Sequence, residues 1–356
     1  LRPTMTNSIE LGFELKLLKN RIGIDFTYYN QHSKDQILRM NTSYASGYRY
    51  QLINAGDIEN RGVEIALNTR PIEMNDFSWD VNLNFAKNSN KVKELANGVD
   101  EFELASAKWL GVKVVAKVGE NYGCIMGKDF LRNSDGDIII DGKSGLPKMT
   151  DDLKVLGNAT WDWTGGLTTN LRYKNVSLGA IFDVKVGADL YSMSARSAYS
   201  TGKDKATLEG RDAWYESEEK RLAAGVASNN WTPTGGYIAK GVIQQTDGTF
   251  KPNDIIVSPQ EYWNYVTTQT ARPFIYDNSY VKLREFTLSY AFPRRMLGKV
   301  VNALSVSFVA RNLFNLYKNV PNIDPDSNYN NGTGMGLEFG SLPSRRSFGL
   351  NVNLKF

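Results

Sequence analysis

The sequence predicts an all-β protein that forms part of a large antiparallel β-barrel crossing a membrane. Apolar and polar residues alternate in about nine segments, helical periodicity is nearly absent, and the links between segments are alternately short and long. A period of two gives a strand with one apolar and one polar face. The nine segments are 9–15, 22–28, 63–67, 77–85, 165–173, 176–191, 286–292, 304–312 and 348–356.

The lengths of the connections favour a membrane barrel over a soluble sandwich. Short links alternate with four long loops, predicted at 31–51, 87–161, 192–278 and 314–345. All long loops then lie at one end, as in outer-membrane barrels, where short turns face the periplasm and long loops face outside. Many of the segments approach the ~10 residues that a tilted strand needs to cross a bilayer. The expected location is the outer membrane of a Gram-negative bacterium.

The final segment alternates to its last residue, Phe356. In a closed barrel such a strand is hydrogen-bonded on both sides, because lipid tolerates no open strand edge. Bacterial single-chain barrels have even strand counts, so nine strands need further strands to close. We therefore expect this chain to be one part of a larger barrel.

The polar faces of the strands should line the barrel lumen, since the apolar faces meet lipid. Such side chains either grip whatever fills the lumen or only hold lumen water. The residues predicted to face the lumen include Glu10, Glu14, Asp25, Glu64, Asp80, Arg172, Asp183 and Lys185.

Composition argues against several other functions. Lys and Arg total 42 against 38 Asp and Glu, and this near balance does not suggest a nucleic-acid partner. The single cysteine, Cys124, excludes an intrachain disulfide framework and a thiolate metal cluster. The single histidine, His32, lies in a polar segment and is expected to be solvated. We expect no catalytic residue, no metal, no cofactor and no enzymatic activity.

The loops contain two features of interest and the best helix candidate. The stretch 133–145 holds Asp135, Asp137 and Asp141 among glycines, but it lacks the calcium-loop spacing and is expected to form a turn hairpin. Segment 207–225 is the best helix candidate. Aromatic residues of the third long loop are candidate substrate contacts, although packing within the loop or against a lid would also explain them. These residues are Trp214, Tyr215, Trp231, Tyr237, Tyr262, Trp263 and Tyr265.

Five stretches resemble one protein family, the SusC/RagA group of TonB-dependent outer-membrane transporters from Bacteroidetes. They are spread over nearly the whole chain in the family's order. The stretches are 54–67 (NAGDIENRGVEIAL), 154–175 (KVLGNATWDWTGGLTTNLRYKN), 278–293 (NSYVKLREFTLSYAFP), 310–319 (ARNLFNLYKN) and 343–356 (PSRRSFGLNVNLKF). One departure is Ala159-Thr160-Trp161, in a stretch that often contains proline.

The resemblance implies the C-terminal portion of a barrel of roughly 22 strands whose lumen holds an N-terminal plug. The plug and the segment that contacts TonB would be absent from this chain. The implied partners are a SusD-like surface lipoprotein that acts as a lid, the TonB complex, the missing N-terminal strands and plug, and lipid or lipopolysaccharide. Two transporter–lid units are often paired in the family.

The implied activity is import of oligosaccharides or other glycans, powered through TonB, with peptide import as the alternative within the family. From other classes, a passive porin or a secreted carbohydrate-binding β protein remains possible.

Overall fold

The computed structural model describes residues 1–41, 43–96, 98–107, 111–327 and 332–356. Parts of the predicted loops 31–51, 87–161 and 314–345 lie outside these ranges. Strands dominate the described residues. The strands in the first half of the chain are β1 (Met5–Leu17), β2 (Ile22–Asn41), β3 (Tyr50–Glu73), β4 (Phe77–Glu94), β5 (Glu101–Ala107), β6 (Val112–Lys117), β7 (Cys124–Gly127), β8 (Ile139–Ile140), β9 (Lys154–Asn158), β10 (Trp163–Tyr173) and β11 (Val176–Val186).

The second half of the chain adds helices to the strands. The remaining strands are β12 (Asp189–Ser192), β13 (Tyr237–Ile238), β14 (Val242–Gln244), β15 (Phe250–Pro252), β16 (Ile256–Val257), β17 (Ile275–Asp277), β18 (Tyr280–Ala291), β19 (Ala303–Lys318), β20 (Leu337–Glu338) and β21 (Ser347–Lys355). The α-helices are α1 (Met193–Ser200), α2 (Arg211–Ala223) and α3 (Pro259–Gln269). Short 3-10 turns lie at Tyr44–Ser46, Lys205–Leu208, Ser228–Asn230, Arg272–Phe274 and Arg294–Met296. Helix α2 lies within the predicted segment 207–225.

Nine strands form one antiparallel sheet in the part of the chain that the structure describes, in the order β1-β2-β3-β4-β10-β11-β18-β19-β21. Each strand pairs with the next one in the chain once the loop strands are set aside, as in an up-and-down barrel. The nine-strand antiparallel fold predicted from alternation is thereby confirmed. Within the described residues β1 and β21 each pair on one side only, so the sheet is open.

The connections alternate between short turns at one end and long loops at the other. Short connections follow β1, β3, β10 and β18 at one end. At the other end long loops follow β4, β11 and β19, whereas β2 and β3 are joined by the short stretch 42–49. The predicted loop 31–51 is wrong in extent, because β2 and β3 continue as a paired hairpin to Asn41 and Tyr50. Likewise β4 runs to Glu94 and β19 to Lys318. These strand ends mix polar and apolar residues without regular alternation, as at Ile37-Leu38 and Leu313-Phe314, so they lack the pattern by which a strand is recognised, while their backbone pairing continues.

The strand register gives the sheet two chemically distinct faces. Residues directly opposite each other on paired strands point to the same face. One row crosses six strands with apolar residues only: Leu15, Ile24, Leu67, Leu83, Leu167 and Phe182. The neighbouring row is Glu14, Asp25, Ala66, Asn84, Gly166 and Asp183. A second apolar row continues to the last strand: Trp79, Leu171, Leu178, Leu288, Phe308 and Leu350.

The apolar core lies in the long loops. One cluster of buried side chains joins the loop after β4, the loop after β11 and the loop after β19; its largest members are Tyr191, Phe274, Ile125, Leu156 and Leu337. A second cluster joins the first two of these loops and includes Phe130, Ile140, Tyr237, Tyr262 and Val266. Long loops need such packing to hold one conformation. The loops therefore form an ordered cap on one end of the sheet.

None of the helices in the described ranges has the combination of length and apolar character needed to cross a membrane.

A matched pair of substitutions on β4 tests which face meets lipid. Leu83 is on the apolar face and 42% exposed, and Asn82 is its neighbour on the polar face. We expect Leu83→Lys to lower the free energy of unfolding by about 2–4 kcal/mol in lipid, because a lysine near the bilayer midplane loses its hydration. Asn82→Lys should change it by less than about 0.5 kcal/mol. Urea unfolding of the complete outer-membrane protein in lipid vesicles measures both values. Equal, small effects would mean that both faces meet water.

Candidate functional site

The eight residues predicted to face the lumen all lie on the polar face of the sheet, by the register of their strands. Several have partners there. Glu14 and Lys16 are 2.7 Å apart, Arg70 Nε donates to Asp80 at 2.6 Å, and Lys185 lies over the ring of Trp161. Glu10, Asp25, Glu64 and Arg172 occupy the same face at other levels. That this face lines a lumen stays a prediction.

A buried ionic cluster joins this face to the loop after β19. Lys282 of β18 is 2% exposed, and its Nζ donates to Asp324 at 3.2 Å and to Asp326 at 2.6 Å. Arg284 Nη1 donates to Asp326 at 2.5 Å, and Arg284 Nε donates to Asp183 at 2.9 Å. The cluster therefore fastens residues 324–326 to the wall formed by β11 and β18. We call these five residues the ionic clamp.

The geometry of β18 presents both cations of the ionic clamp on the polar face. Against β11, Leu283 pairs with Phe182 and Glu285 pairs with the adjacent Ile181, so Arg284 is an extra residue in the strand, a β-bulge. Tyr280 supports the arrangement by donating its hydroxyl to Asp326 at 2.9 Å. Sequence analysis selected Asp183 but missed the other members, because 324–326 lie more than 40 positions from their partners on β18 in the chain.

Asp324 and Asp326 of the ionic clamp are held ionised by their neighbours. Burial by itself raises the pKa of Asp326, but hydrogen bonds from Arg284 and Lys282 outweigh it and leave the pKa below its ordinary value. The pKa of Asp324 is also lowered: its burial is outweighed by hydrogen bonds from Ser344 and from the Asp326 backbone and by the charge of Lys282. Two cations face three carboxylates in this cluster, and each aspartate bonds at least one cation.

A second buried carboxylate fastens the same loop to the loop after β11. Glu338 of β20 is fully buried and accepts hydrogen bonds from the hydroxyls of Ser192 and Ser194, both at 2.7 Å. It also accepts from the backbone N–H of Ser194 at 3.1 Å and of Ser341 at 3.0 Å. These bonds outweigh the effect of burial and lower the pKa of Glu338. The loop after β19 is thus attached at two separate places.

The aromatic residues predicted as substrate contacts divide into two groups. Tyr237 and Tyr262 are buried with ring centroids 4.4 Å apart, and Tyr262 packs edge-on against Trp263 at 5.0 Å. Trp231 donates its Nε1–H to Ser217 at 3.2 Å, and Tyr265 packs at the edge of the same core. Packing within the loop explains these residues.

Trp214 and Tyr215 belong to the second group, because they line an open cavity together with one edge of Trp263. The cavity has a volume of about 250 Å³ and lies between α1, α2 and α3. Tyr199 of α1 completes its aromatic lining, with its ring 4.7 Å from that of Trp263. Arg211 and Asn264 add polar groups. Aromatic faces with a few polar groups are typical of small-molecule sites, and aromatic rings can stack on sugar rings. We call this cavity the aromatic cavity.

Sequence reasoning missed Tyr199 and the helices that carry it and Trp263. Helix α1 has eight residues and no helical periodicity to reveal it. Helix α3 does have a start signal in Ser258-Pro259-Gln260-Glu261, with proline at the first helical position and glutamate three residues after the serine. The aromatic cavity forms only when these helices meet α2, and this juxtaposition is not visible in the sequence.

Comparison with known proteins agrees with the fold and with the resemblance. Residues 1–139 match the family model for "TonB dependent receptor-like, beta-barrel". TonB-dependent receptors P3 and P26 of Formosa agariphila are 26% and 28% identical, each over 99% of this chain and 34% of the relative. TonB-dependent receptor SusC of Bacteroides thetaiotaomicron is 22% identical over 74% of this chain and 27% of its own length.

Solved structures of the RagAB peptide transporter have the same fold. One superposes with a TM-score of 0.69 at 18% identity, covering 99% of this chain and 35% of that chain. The "open-open" state of the RagAB peptide importer gives a TM-score of 0.68. The chain spans about a third of the length of the Formosa relatives and of these structures. The resemblance to the SusC/RagA group of TonB-dependent receptors, predicted from the sequence, is confirmed.

Substitution of the buried lysine tests the ionic clamp. We expect Lys282→Met to destabilise the attachment of 324–326 by about 3–5 kcal/mol, because Asp324 is left buried without a cation and Asp326 keeps only Arg284. The matched control is Lys251→Met, since Lys251 and Asp254 form an exposed pair at the same 3.2 Å distance, where the expected cost is below about 1 kcal/mol. Hydrogen exchange measured by mass spectrometry on peptides from 319–327 gives the difference. Unchanged protection in Lys282→Met would contradict the role of the clamp.

The lowered pKa values of Asp324, Asp326 and Glu338 predict an acid-sensitive attachment of this loop. A carboxylate with a lowered folded-state pKa stabilises the fold fully above its unfolded value, here 3.8 for Asp and 4.5 for Glu, and loses this effect as pH falls through the folded value. We expect hydrogen-exchange protection of the loop to be constant from pH 8 to 5, after correction for intrinsic rates, and to fall below about pH 4. Strand peptides from β3 and β4 serve as the internal reference. Full protection at pH 2 would disprove this linkage.

Proposed function

We propose that this relative of the TonB-dependent receptors forms the C-terminal part of the barrel of a SusC-type active nutrient importer in the outer membrane. The main observation behind this proposal is the sheet of strands with one apolar and one polar face, which has an ordered loop cap at one end. TonB-dependent receptors match this chain over 99% of its length. In this proposal the apolar rows face lipid and lipopolysaccharide, and the polar face lines the lumen. The missing strands close the barrel, and a plug fills it.

The proposal includes partners that this chain does not contain. A SusD-like surface lipoprotein would cover the loop end, and the TonB complex would act on the plug through the missing N-terminal part. The names SusC and RagAB among the relatives and solved structures support a two-component transporter. Two transporter–lid units would pair in the membrane. The proposal assigns no catalytic activity to this chain.

We propose oligosaccharides as the substrate class. The aromatic cavity supports this choice, because Trp214 and Tyr215 present rings on an open surface, with Asn264 beside them as a hydrogen-bonding group. Peptides are the alternative, and the RagAB structures are described as a peptide transporter. Their 18% identity supports the shared fold and does not decide between the two substrates.

The first experiment identifies the protein as it exists in the membrane. Intact mass spectrometry of the detergent-extracted protein should give a polypeptide about three times this chain's 39.9 kDa, since the relatives are about three times as long, with a co-purifying lipoprotein. A species of 39.9 kDa that is soluble without detergent and alone would overturn the proposal in favour of a secreted β protein.

The second experiment separates active import from passive diffusion. Cells that produce the complete protein should accumulate a labelled oligosaccharide, and an uncoupler or loss of TonB should abolish the accumulation. A passive porin would admit the same label to equilibrium with or without TonB. A labelled peptide mixture tested in parallel is the matched control, and TonB-dependent accumulation of the peptides alone would assign the protein to the alternative substrate class.

A further inference from the structure

We propose that the aromatic cavity binds an anionic sugar ring, one that carries a carboxylate or a sulfate. This inference rests on the proposed function and narrows its substrate class from oligosaccharides in general to acidic ones. The inference is argued from the charge of the cavity wall. That charge was not among the reasons for proposing oligosaccharides over peptides.

The lining of the cavity carries one positive charge and no carboxylate, although the Asp204 carboxylate lies beside the lining residue Tyr199. Arg211 lines the cavity, and among the described lining residues there is no aspartate, glutamate or second cation. Arg211 forms no ion pair with a described residue, whereas Arg221 on the same helix pairs with Glu218 at 2.9 Å. An arginine without a carboxylate partner beside an open cavity is suited to bind an anion from solution, because guanidinium forms short, directional bonds with carboxylate and sulfate-like oxygens.

Neutral groups hold the guanidinium in place. Arg211 Nε donates to the carbonyl oxygen of Thr207 at 2.8 Å, and Nη2 donates to the carbonyl of Gly202 and the hydroxyl of Thr207, both at 2.7 Å. These acceptors fix the side chain without neutralising it. A pre-positioned cation loses little conformational entropy when it binds a ligand, so it adds more to affinity than a mobile surface lysine.

A second source of positive potential faces the same space. Ser258, Pro259 and Gln260 at the start of α3 line the cavity, and the Ser258 side chain makes no hydrogen bond to the first turn of the helix. The amino end of a helix carries partial positive charge and unpaired N–H groups. Glu261 in the first turn offsets part of this charge, so Arg211 is the main source of positive potential and the helix end adds chiefly its free N–H groups.

The aromatic side chains that line the cavity favour a ligand that contains a sugar ring. Trp214, Tyr215 and one edge of Trp263 surround the space beside Arg211. At about 250 Å³ the cavity is smaller than the roughly 300–1,000 Å³ of sites for drug-sized ligands, so it suits one or two sugar rings. An acidic pyranose would place its apolar face against an indole and its anionic group at Arg211.

The test uses the complete outer-membrane protein, purified in detergent, and two probes that differ only in charge. Trigalacturonate and its methyl ester are titrated separately, with tryptophan fluorescence as the readout, since Trp214 and Trp263 line the cavity. A sulfated galactose disaccharide and its desulfated form provide the second pair and distinguish sulfate from carboxylate recognition. We expect each anionic probe to bind at least about tenfold more tightly than its neutral counterpart.

Four variants separate charge recognition from local structure. Arg211→Gln should weaken the anionic probes at least about tenfold more than it weakens the neutral probes, which removes the preference. Arg211→Lys should keep a preference, because the charge remains. Trp214→Ala should weaken all probes. The matched control is Lys220→Gln, which removes one positive charge from the same helix α2 at a residue that does not line the cavity, and it should change nothing.

Several outcomes would overturn the inference. Equal affinity of the natural protein for charged and neutral probes would be one such outcome. An equal loss of affinity for charged and neutral probes in Arg211→Gln would be another, because it would assign Arg211 to loop structure alone. Tighter binding of triglutamate than of any sugar, with the same dependence on Arg211, would assign the cavity to acidic peptides.

The uptake assay keeps this inference separate from the proposed function. If neutral oligosaccharides accumulate in a TonB-dependent manner but charged and neutral probes bind equally, only the anionic subsite fails. If no sugar accumulates, the proposed function itself fails.

Discussion

The whole architecture depends on one constraint, the continuous hydrogen-bonded pairing of nine neighbouring strands, whose register shifts only at a few bulges. Because side chains alternate with a period of two, this pairing puts whole rows of residues such as Leu67, Leu83 and Leu167 on one face and Asn84 and Asp183 on the other. A single sheet with one apolar and one polar face encloses no apolar core of its own. The buried clusters consequently lie in the loops, which must obtain their order from packing and from fixed attachments to the wall.

The ionic clamp and the carboxylate of Glu338 supply those attachments for the loop after β19. Both place ionised groups where water is scarce, and such arrangements stabilise a fold only when every charge is bonded. Lys282 meets this condition with two aspartates and the hydroxyl of Ser344 at 2.7 Å. The ionic clamp and Glu338 contribute more to the position of the loop than to the free energy of unfolding. They fix this loop against the strand wall and against the neighbouring loop. The aromatic cavity lies in that neighbouring loop, on helices packed around Tyr199 and Trp263.

Much of the wall was predictable from the sequence, whereas most of the loop cap was not. Strand number, the two faces and the separation of short from long connections follow from alternation and spacing, which are local properties. The predicted loop 31–51 is wrong at its edges, since the ends of β2 and β3 pair through their backbones without a regular apolar alternation. Lys282 and Asp324 bond each other although they are 42 positions apart in the chain, and Tyr199 and Trp214 line one cavity although they belong to different helices. Their proximity is set by tertiary packing, so the local sequence does not predict it.

The bulge at Arg284 has a consequence for comparing this chain with its relatives. Before it, even-numbered residues of β18 such as Lys282 face the polar side; after it, even-numbered residues such as Phe286 and Leu288 face the apolar side. A relative that lacks this one residue must either reverse the chemistry of half its strand or lose the pair of cations on the polar face. An alignment gap of one position here therefore marks a change in which residues lie on the apolar face, and face assignments in this strand have to be made separately on the two sides of residue 284.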